Sequence, residues 1–188
     1  TISISGTHGK TTTTSMISVC FMEAHKDPTV QVGAILKQID GNYRVGKSEH
    51  FIIEACEYVE SFLKFSPKAE IILNIDNDHL DYFKNLDNIK KAFAKYVKLL
   101  PDDGLLILNG DDDKLATVKG HEEIKPVFFG MDKDCQVYGD EIVSRGLKGM
   151  TCTIHMGGTA FTVDMPMPGR HMVYNALAAA AVGNTYGL

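Results

Sequence analysis

Short apolar runs alternate with helix-forming stretches along the first 130 residues of the chain. The apolar runs are too short for helices and contain many β-branched residues, which indicates buried β-strands. They cover residues 1–5, 30–35, 51–53, 70–75, 105–108 and 126–129. Helices are predicted between them over residues 11–24, 86–100 and 113–119. Continuous apolar strands separated by helices favour a parallel sheet that is covered on both faces.

The pattern changes after Gly130. Alternating segments there predict short antiparallel strands over residues 135–138, 150–156 and 159–165. Gly157 and Gly158 suit a hairpin turn between the last two of these strands, and a final helix is predicted from residue 171 to about residue 182. The chain as a whole therefore predicts one α/β domain over residues 1–188. Its sheet is P-loop-type and mostly parallel, flanked by helices, with a small antiparallel subsheet toward the C-terminus.

The composition is that of an ordinary globular domain. Of 188 residues, 44% are hydrophobic, and 19 Lys and Arg stand against 24 Asp and Glu, which argues against a nucleic-acid binder that relies on positive charge. No apolar run approaches the roughly 20 residues that span a bilayer, and no signal-peptide pattern opens the chain. We therefore expect a cytoplasmic location with neither membrane nor nucleic acid as a partner. Because the chain begins inside a strand-type run without Met, we also expect it to be a segment of a longer protein.

The segment Gly6-Thr7-His8-Gly9-Lys10-Thr11 lies between the first predicted strand and the first predicted helix, as a phosphate-binding loop requires. The glycines let the backbone curl so that successive N–H groups point at phosphate oxygens, and the helix N-terminus adds its positive dipole end. Lys10 offers a charge for the outer phosphates, and the Thr11 hydroxyl is a ligand for Mg²⁺. The segment is shorter than the G-x-x-x-x-G-K-[ST] pattern and, taken alone, also fits a glycine-containing turn. Its flanking strand and helix favour the phosphate site.

Two further candidates follow strand ends. Glu54 ends an apolar strand, and His79 lies just beyond the run at residues 70–75. Alone, Glu54 equally fits an ion pair at a strand end, and His79 fits a capping residue in an acidic loop. Ligands of parallel α/β sheets, however, bind outside the carboxyl ends of the strands, where the phosphate loop, Glu54 and His79 would meet. Together these groups could hold one or two Mg²⁺ ions beside a triphosphate, although Mg²⁺ prefers oxygen to imidazole. The acidic loop at residues 109–113 reaches the same edge, where we expect helix capping and solvated charge.

Four motifs, in this order, resemble those of the Mur ligases. They are Gly-Thr-His-Gly-Lys-Thr-Thr-Thr from Gly6, Glu-Ala-Cys-Glu-Tyr from Glu54, Asn-Ile-Asp-Asn-Asp-His-Leu-Asp-Tyr-Phe from Asn74, and Pro-Gly-Arg-His-Met-Val-Tyr-Asn-Ala-Leu-Ala-Ala from Pro168. The resemblance covers essentially the whole chain and is to the central ATP-binding domain. It implies that ATP phosphorylates a carboxylate, that an amine attacks the acyl phosphate, and that an amide, ADP and phosphate result. By the same resemblance, His8 favours the members that act directly on UDP-N-acetylmuramate, and the substrates expected for the full-length enzyme are UDP-N-acetylmuramate and L-alanine.

The resemblance also implies residue roles. The ATP-binding set would be Gly6, Thr7, His8, Gly9, Lys10, Thr11, Thr12, His171 and Asn175. Within it, Lys10 would hold the outer phosphates, Thr11 would bind Mg²⁺ with them, and His171 and Asn175 would contact the adenine. Glu54 and His79 would organise a second Mg²⁺ and, with Lys10, form the catalytic set. The family's N-terminal UDP-sugar domain and C-terminal amino-acid domain would lie outside this segment.

Some positions depart from the family pattern, and three alternative functions stay open. Met172 stands where the family often has Asn, so a polar contact from that position is lost. Some relatives carry a carbamylated lysine at the second metal, for which Lys95 is only a weak candidate. The nearest alternative is the related ligase that recycles a tripeptide onto UDP-N-acetylmuramate. A P-loop phosphotransferase and a non-catalytic nucleotide-binding module are further alternatives, against which the short loop and the intact Lys10 and Glu54 argue.

Overall fold

The computed structural model describes residues 1–188 and has one mixed ten-stranded sheet at its centre. The strands are β1 (Ile2–Ser5), β2 (Thr29–Leu36), β3 (Gly41–Arg44), β4 (Phe51–Glu54), β5 (Ala69–Ile72), β6 (Leu105–Asn109), β7 (Val127–Gly130), β8 (Val137–Ser144), β9 (Met150–Met156) and β10 (Thr159–Met165). The α-helices are α1 (Lys10–Glu23), α2 (Leu80–Phe83), α3 (Leu86–Val97) and α4 (His171–Tyr186). Short 3₁₀ segments lie at Lys37–Ile39, Tyr58–Lys64, Leu115–Thr117 and Gly146–Lys148.

The sheet runs in the order β10-β9-β8-β7-β6-β5-β1-β4-β2-β3. All pairs from β2 through β4, β1, β5, β6 and β7 to β8 are parallel, whereas β3, β9 and β10 join antiparallel at the two sides. β1 is fully buried between β4 and β5. The strands β2, β3 and β4 lie on one side of it, and β5 to β10 lie on the other. Ligands of open α/β sheets bind at such a reversal of strand order, so the loop after β1 has the expected position for a site.

Alternate residues of the central strands supply two cores, one on each face of the sheet. Ile71 of β5 belongs to a cluster formed with α1 and α4, whereas the next residue, Ile72, belongs to a second cluster formed with α3. This division follows from the two-residue period of a strand, which turns successive side chains to opposite faces. The predicted mostly parallel sheet between layers of helices is confirmed.

α3 shows how the sequence specifies one of these layers. Its buried residues recur at a spacing of three and four, which places them on one face of the helix. They are Ile89, Ala92, Phe93, Tyr96 and Val97. The Asn85 side chain caps the N-terminus by accepting a hydrogen bond from the Asn88 amide, at 2.9 Å. Phe62, from the 3₁₀ segment, stacks on Tyr96 and meets Phe93 edge-on, which closes this core.

Two predictions about local structure are wrong. The helix predicted over residues 113–119 is a single 3₁₀ turn, because the Asp112 carboxylate accepts from the amides of Ile75 and Lys114 and holds this segment as a loop. The strand predicted over residues 135–138 begins instead at Val137 and extends to Ser144, while the antiparallel subsheet itself is confirmed. β8 is longer than expected and pairs in parallel with β7 on one side and antiparallel with β9 on the other, so the sheet is continuous.

No helix here combines the length and the apolar character that crossing a bilayer would require.

Candidate functional site

The loop between β1 and α1 has the geometry of a phosphate-binding turn. Gly6 and Gly9 both have positive φ, of 133° and 88°, which other residues rarely adopt. Gly9 is the N-cap of α1, so the first amides of the helix, which have no partner within it, lie at this loop. A cavity of about 350 Å³ is lined by residues 7–12 alone. The predicted strand, loop and helix arrangement is confirmed.

The shape of this loop is fixed by the segment that follows β5. The Asn74 carbonyl oxygen accepts from the Thr7 amide at 3.1 Å, and the Asn74 side chain exchanges two hydrogen bonds with the His8 backbone at 2.8 and 3.0 Å. The Thr7 hydroxyl accepts from the Asp76 amide at 2.9 Å. The amides of Thr7 and His8 are therefore engaged within the protein, which leaves the first turn of α1 to donate to a ligand.

Lys10 has a partner that sequence reasoning missed. Its ammonium group donates to the carbonyl oxygens of Gly6 and Thr7, at 2.5 and 3.3 Å, and to Glu57 Oε2 at 3.1 Å. Glu57 is only 2% exposed, so the ion pair lies inside the protein, directly beside the loop. The one signal in the sequence was the position of Glu57 in the Glu-Ala-Cys-Glu motif, three residues after Glu54.

Glu54, the second predicted site carboxylate, lies beside Thr11 in the first turn of α1. Glu54 Oε2 accepts from the Thr11 hydroxyl at 3.2 Å, and its other oxygen accepts from the Gly33 amide at 2.6 Å. A Cβ at Gly33 would lie 2.8 Å from this carboxylate, so the absence of a side chain there lets β2 approach it. The structure thus brings two of the three predicted metal ligands together, and both are hard oxygen donors.

His79 lies with a different carboxylate. Its Nε2 is 4.0 Å from Glu57 Oε1 and its Nδ1 is 3.9 Å from Asp78 Oδ1. Ligand atoms of Glu57, Asp78 and His79 all lie within 4.8 Å of one another. The Tyr58 ring packs against the imidazole, with centroids 4.6 Å apart. The structure therefore places His79 beside Glu57 and Asp78 and shows no contact of His79 with Glu54. Glu57 lies beside both Lys10 and His79.

The two predicted adenine contacts, on α4, differ in their surroundings. His171 is exposed at the first residue of the helix, while Asn175 is buried with its amide facing Met172 Sδ at 3.8 Å. A Cβ at Gly9 would lie 2.5 Å from Asn175 Oδ1, so Asn175 packs against the phosphate loop itself. Met172 is buried in the core between α4 and the sheet. Their roles toward adenine stay predictions.

The acidic loop after β6 also connects neighbouring elements of the fold. Asp111 Oδ2 accepts from the Tyr174 hydroxyl at 2.8 Å and from the Met131 amide at 2.7 Å, which ties α4 to the loop after β7. Burial and this carboxylate raise the pKa of Tyr174 to about 12. The expectation of solvated charge is wrong for Asp112, whose two oxygens accept from the amides of Ile75 and Lys114, whereas Asp111 is exposed as expected.

Lys95, the weak candidate for carbamylation, donates instead to Glu60 Oε1 at 2.7 Å in an exposed ion pair.

The chain is similar in sequence to known proteins. A sequence profile of the Mur ligase middle domain matches residues 4–183. The whole chain is 43% identical to UDP-N-acetylmuramate–L-alanine ligase of Caldicellulosiruptor bescii and covers 41% of that protein.

Two solved structures are also similar. Crystalline UDP-N-acetylmuramate–alanine ligase of Thermotoga maritima matches with a TM-score of 0.81 and 29% identity, over 100% of this chain and 41% of that one. UDP-N-acetylmuramate:L-alanyl-γ-D-glutamyl-meso-diaminopimelate ligase of Neisseria meningitidis matches with a TM-score of 0.83 and 25% identity, over 98% of this chain and 61% of that one.

The chain spans about two-fifths of the length of the curated relatives that it matches. The profile match extends over nearly all of its residues, through the phosphate loop, both carboxylate-bearing segments and α4. The chain belongs to the Mur ligase middle-domain family.

Proposed function

We propose that this chain is the ATP-binding domain of a ligase that joins L-alanine to the carboxylate of UDP-N-acetylmuramate. The observation that carries the proposal is the loop between β1 and α1, where free helix-start amides, Lys10 and Thr11 line one open cavity and Glu54 accepts from the Thr11 hydroxyl. The choice of alanine rests on the 43% identity to a ligase of that name. The UDP-sugar and the amino acid would be bound by N- and C-terminal domains of the same protein, outside residues 1–188.

Mg²⁺ fits part of this site. The Thr11 hydroxyl and the Glu54 carboxylate are oxygen donors 3.2 Å apart beside the loop, which suits the preference of Mg²⁺ for oxygen. His79 would contribute from the side of Asp78, whose carboxylate supplies a hard ligand that an imidazole alone would not. When bound, Mg²⁺ would neutralise charge on the phosphates.

The side chains would act mainly by positioning and charge neutralisation. ATP and the substrate carboxylate are both anions, and Lys10 together with the α1 amides would hold the phosphates so that a carboxylate oxygen attacks the γ-phosphorus and ADP leaves. The amine of alanine would then attack the acyl carbon of the acyl phosphate, phosphate would leave, and the amine would lose its proton. Asn175, buried under Gly9, would fix the loop relative to α4, where the adenine is expected.

A second candidate is the tripeptide ligase of the same family. The Neisseria meningitidis enzyme resembles this chain in structure as closely as the alanine ligase does, with TM-scores of 0.83 and 0.81. The incoming amine would be selected outside residues 1–188, so the two candidates share every residue of the site described above. The phosphotransferase and the plain nucleotide-binding module have no such support.

The deciding experiment is an assay of the full-length protein that carries this chain. We expect ATP-dependent conversion of UDP-N-acetylmuramate and L-alanine to an amide, with one ADP released per product. Lys10→Ala should reduce turnover on the order of 100-fold, because it removes a charge aimed at the transferring phosphoryl group. Lys91→Ala, an exposed lysine of α3, is the matched control and should leave turnover unchanged.

Two outcomes would change the proposal. Product with L-alanyl-γ-D-glutamyl-meso-diaminopimelate and not with alanine would select the second candidate. No amide with either amine would refute ligase activity. Calorimetric titration with ATP and GTP, with and without Mg²⁺, tests the nucleotide site separately, and equal binding of GTP would contradict the adenine roles given to His171 and Asn175.

A further inference from the structure

Glu57 is a buried carboxylate that the proposed reaction does not use. It is 2% exposed, with Oε2 3.1 Å from Lys10 Nζ and Oε1 4.0 Å from His79 Nε2. A buried carboxylate is strongly disfavoured unless a cation and hydrogen bonds compensate for its lost hydration. Lys10 is the cation that meets this need, so the two side chains form a buried ion pair.

The Lys10 ammonium has no donor left for a ligand in this arrangement. Its three protons face three acceptors, which are the Gly6 carbonyl, the Thr7 carbonyl and the Glu57 carboxylate. To reach the outer phosphates of a nucleotide, the ammonium has to give up part of this set. The carboxylate is the strongest of the three acceptors, because its hydrogen bond is charge-assisted.

The backbone shortly after Glu57 is strained. Val59 and Glu60 have φ of 48° and 53°, in the left-handed region that side chains rarely occupy. Such strain persists only where surrounding contacts impose it, and it is commonly found at functional sites. Tyr58, packed against His79, and Phe62, fully buried, are the contacts on either side of the strained pair.

We propose that Glu57 is a positioning residue that acts as the internal counter-ion of Lys10 and competes with the phosphates of the nucleotide for its ammonium. The proposal rests on the proposed function in one respect, that the loop binds a polyphosphate. The competition weakens binding of any polyphosphate at this loop. After the product leaves, the Lys10 ammonium pairs with the Glu57 carboxylate again.

The test measures affinity for ATP and for inorganic tripolyphosphate in the full-length protein by calorimetry. Glu57→Gln keeps the size and a hydrogen-bond acceptor but removes the charge, and we expect about tenfold tighter binding of both ligands. Glu57→Asp keeps the charge and should bind as the wild type does. In steady state, Glu57→Gln should lower KM for ATP without raising kcat, because the effect is on binding. Glu60→Gln, in the same turn, is the matched control and should change neither constant.

A merely structural role for Glu57 gives the opposite result. Unchanged or weaker binding in a folded Glu57→Gln variant would overturn the proposal, as would equal tightening by Glu57→Asp. If Glu57→Gln does not fold, crystal structures of the wild type with and without ATP decide the question. The Lys10–Glu57 contact should be broken when ATP is bound, and its persistence together with a Lys10–phosphate contact would overturn the proposal.

Failure of this inference is distinct from failure of the proposed function. If Glu57→Gln binds tripolyphosphate more tightly but the full-length protein forms no amide, the inference about Glu57 stands and the proposed ligase activity is refuted. If the protein forms the amide but Glu57→Gln leaves the affinity unchanged, the ligase activity stands and the inference about Glu57 is refuted. A wild type that binds neither ATP nor tripolyphosphate would overturn both.

Discussion

Asn175 Oδ1 occupies the space into which a side chain at Gly9 would project, since a Cβ there would lie 2.5 Å from it. Gly9 also has φ of 88°, and a residue with a Cβ is strained in that conformation by about 1–2 kcal/mol. We expect Gly9→Ala to lower the free energy of unfolding by about 2 kcal/mol and to weaken ATP binding at least about tenfold, because the α1 start would be displaced. Urea denaturation and calorimetry measure the two effects.

Gly158→Ala separates backbone strain from the clash. Gly158 has φ of 79°, and a Cβ there would meet nothing within 4 Å. Its substitution should cost stability through φ alone and should leave ATP affinity intact. In the double variant Gly9→Ala and Asn175→Ala, the shorter side chain at position 175 leaves room for the new Cβ at position 9. Its loss of stability should therefore be smaller than the sum of the losses in the two single variants. Strict additivity would show that Asn175 does not confine Gly9.

Glu70 should make stability fall as pH rises. It is 0% exposed on β5, neither oxygen has a hydrogen-bond partner, and burial raises its pKa from 4.5 to about 9. The folded protein therefore keeps this proton in a range where the unfolded chain loses it. The contribution of Glu70 to the free energy of unfolding is fully present below about pH 4.5. It falls by close to 1.4 kcal/mol per pH unit as the pH rises from there to about 9.

Glu70→Gln cannot ionise and should remove this dependence. Urea unfolding at several pH values between 5 and 8 should show the variant gaining on the wild type as pH rises. Any fixed cost of burying an amide shifts the whole curve and leaves its slope unaffected. The exposed Glu122→Gln serves as control and should track the wild type. A constant difference between wild type and Glu70→Gln would mean that Glu70 is ionised in the folded protein.

The Tyr174 hydroxyl should stabilise the junction between α4 and the loops after β6 and β7. It donates to Asp111 Oδ2 at 2.8 Å. Tyr174→Phe removes the donor while leaving Asp111 the Met131 amide, so we expect a loss of about 1 kcal/mol in the free energy of unfolding. Tyr43→Phe, on the exposed face of β3, is the control and should lie within about 0.5 kcal/mol of the wild type. Equal effects of the two would contradict a role for the hydrogen bond.

Val59 should be replaceable with a gain in stability. A β-branched residue is a poor choice at φ of 48°, and Val59 is 51% exposed, so little packing is lost with it. Asn occupies the left-handed region far more readily. Val59→Asn should therefore raise the free energy of unfolding by about 0.5–1 kcal/mol. Val45→Asn, also exposed but without positive φ, should not. Destabilisation by Val59→Asn would mean that the turn is held by contacts of the valine side chain.

The sequence predicted correctly those features that depend on neighbouring residues alone. Apolar runs marked the central strands, and Gly9 followed by Lys10 marked the phosphate loop, because period and φ are local properties. Sequence reasoning missed β3, whose Gly41-Asn42-Tyr43-Arg44 is an exposed edge with no apolar signal. It also missed the parallel pairing of β8 with β7, because strand direction depends on the path of the chain between them.

The missed site residues have the same explanation. The buried Glu57 is paired with Lys10, 47 positions away, and Asn74 holds a loop that lies 66 positions away. Asp112 was expected to cap a helix, but its carboxylate reaches the Ile75 amide across 37 positions. Such pairings depend on how strands are ordered in the sheet, which no local pattern contains.

The position of β1 between β4 and β5 has a kinetic consequence. The contacts that assemble the site close chain segments of 43, 47 and 66 residues, so each requires β1 to be aligned with β4 or with β5 first. Contacts of such sequence separation form late, since the entropy of closing long segments has to be overcome before they contribute. Nucleotide added during refolding should therefore leave the folding rate unchanged and slow only unfolding.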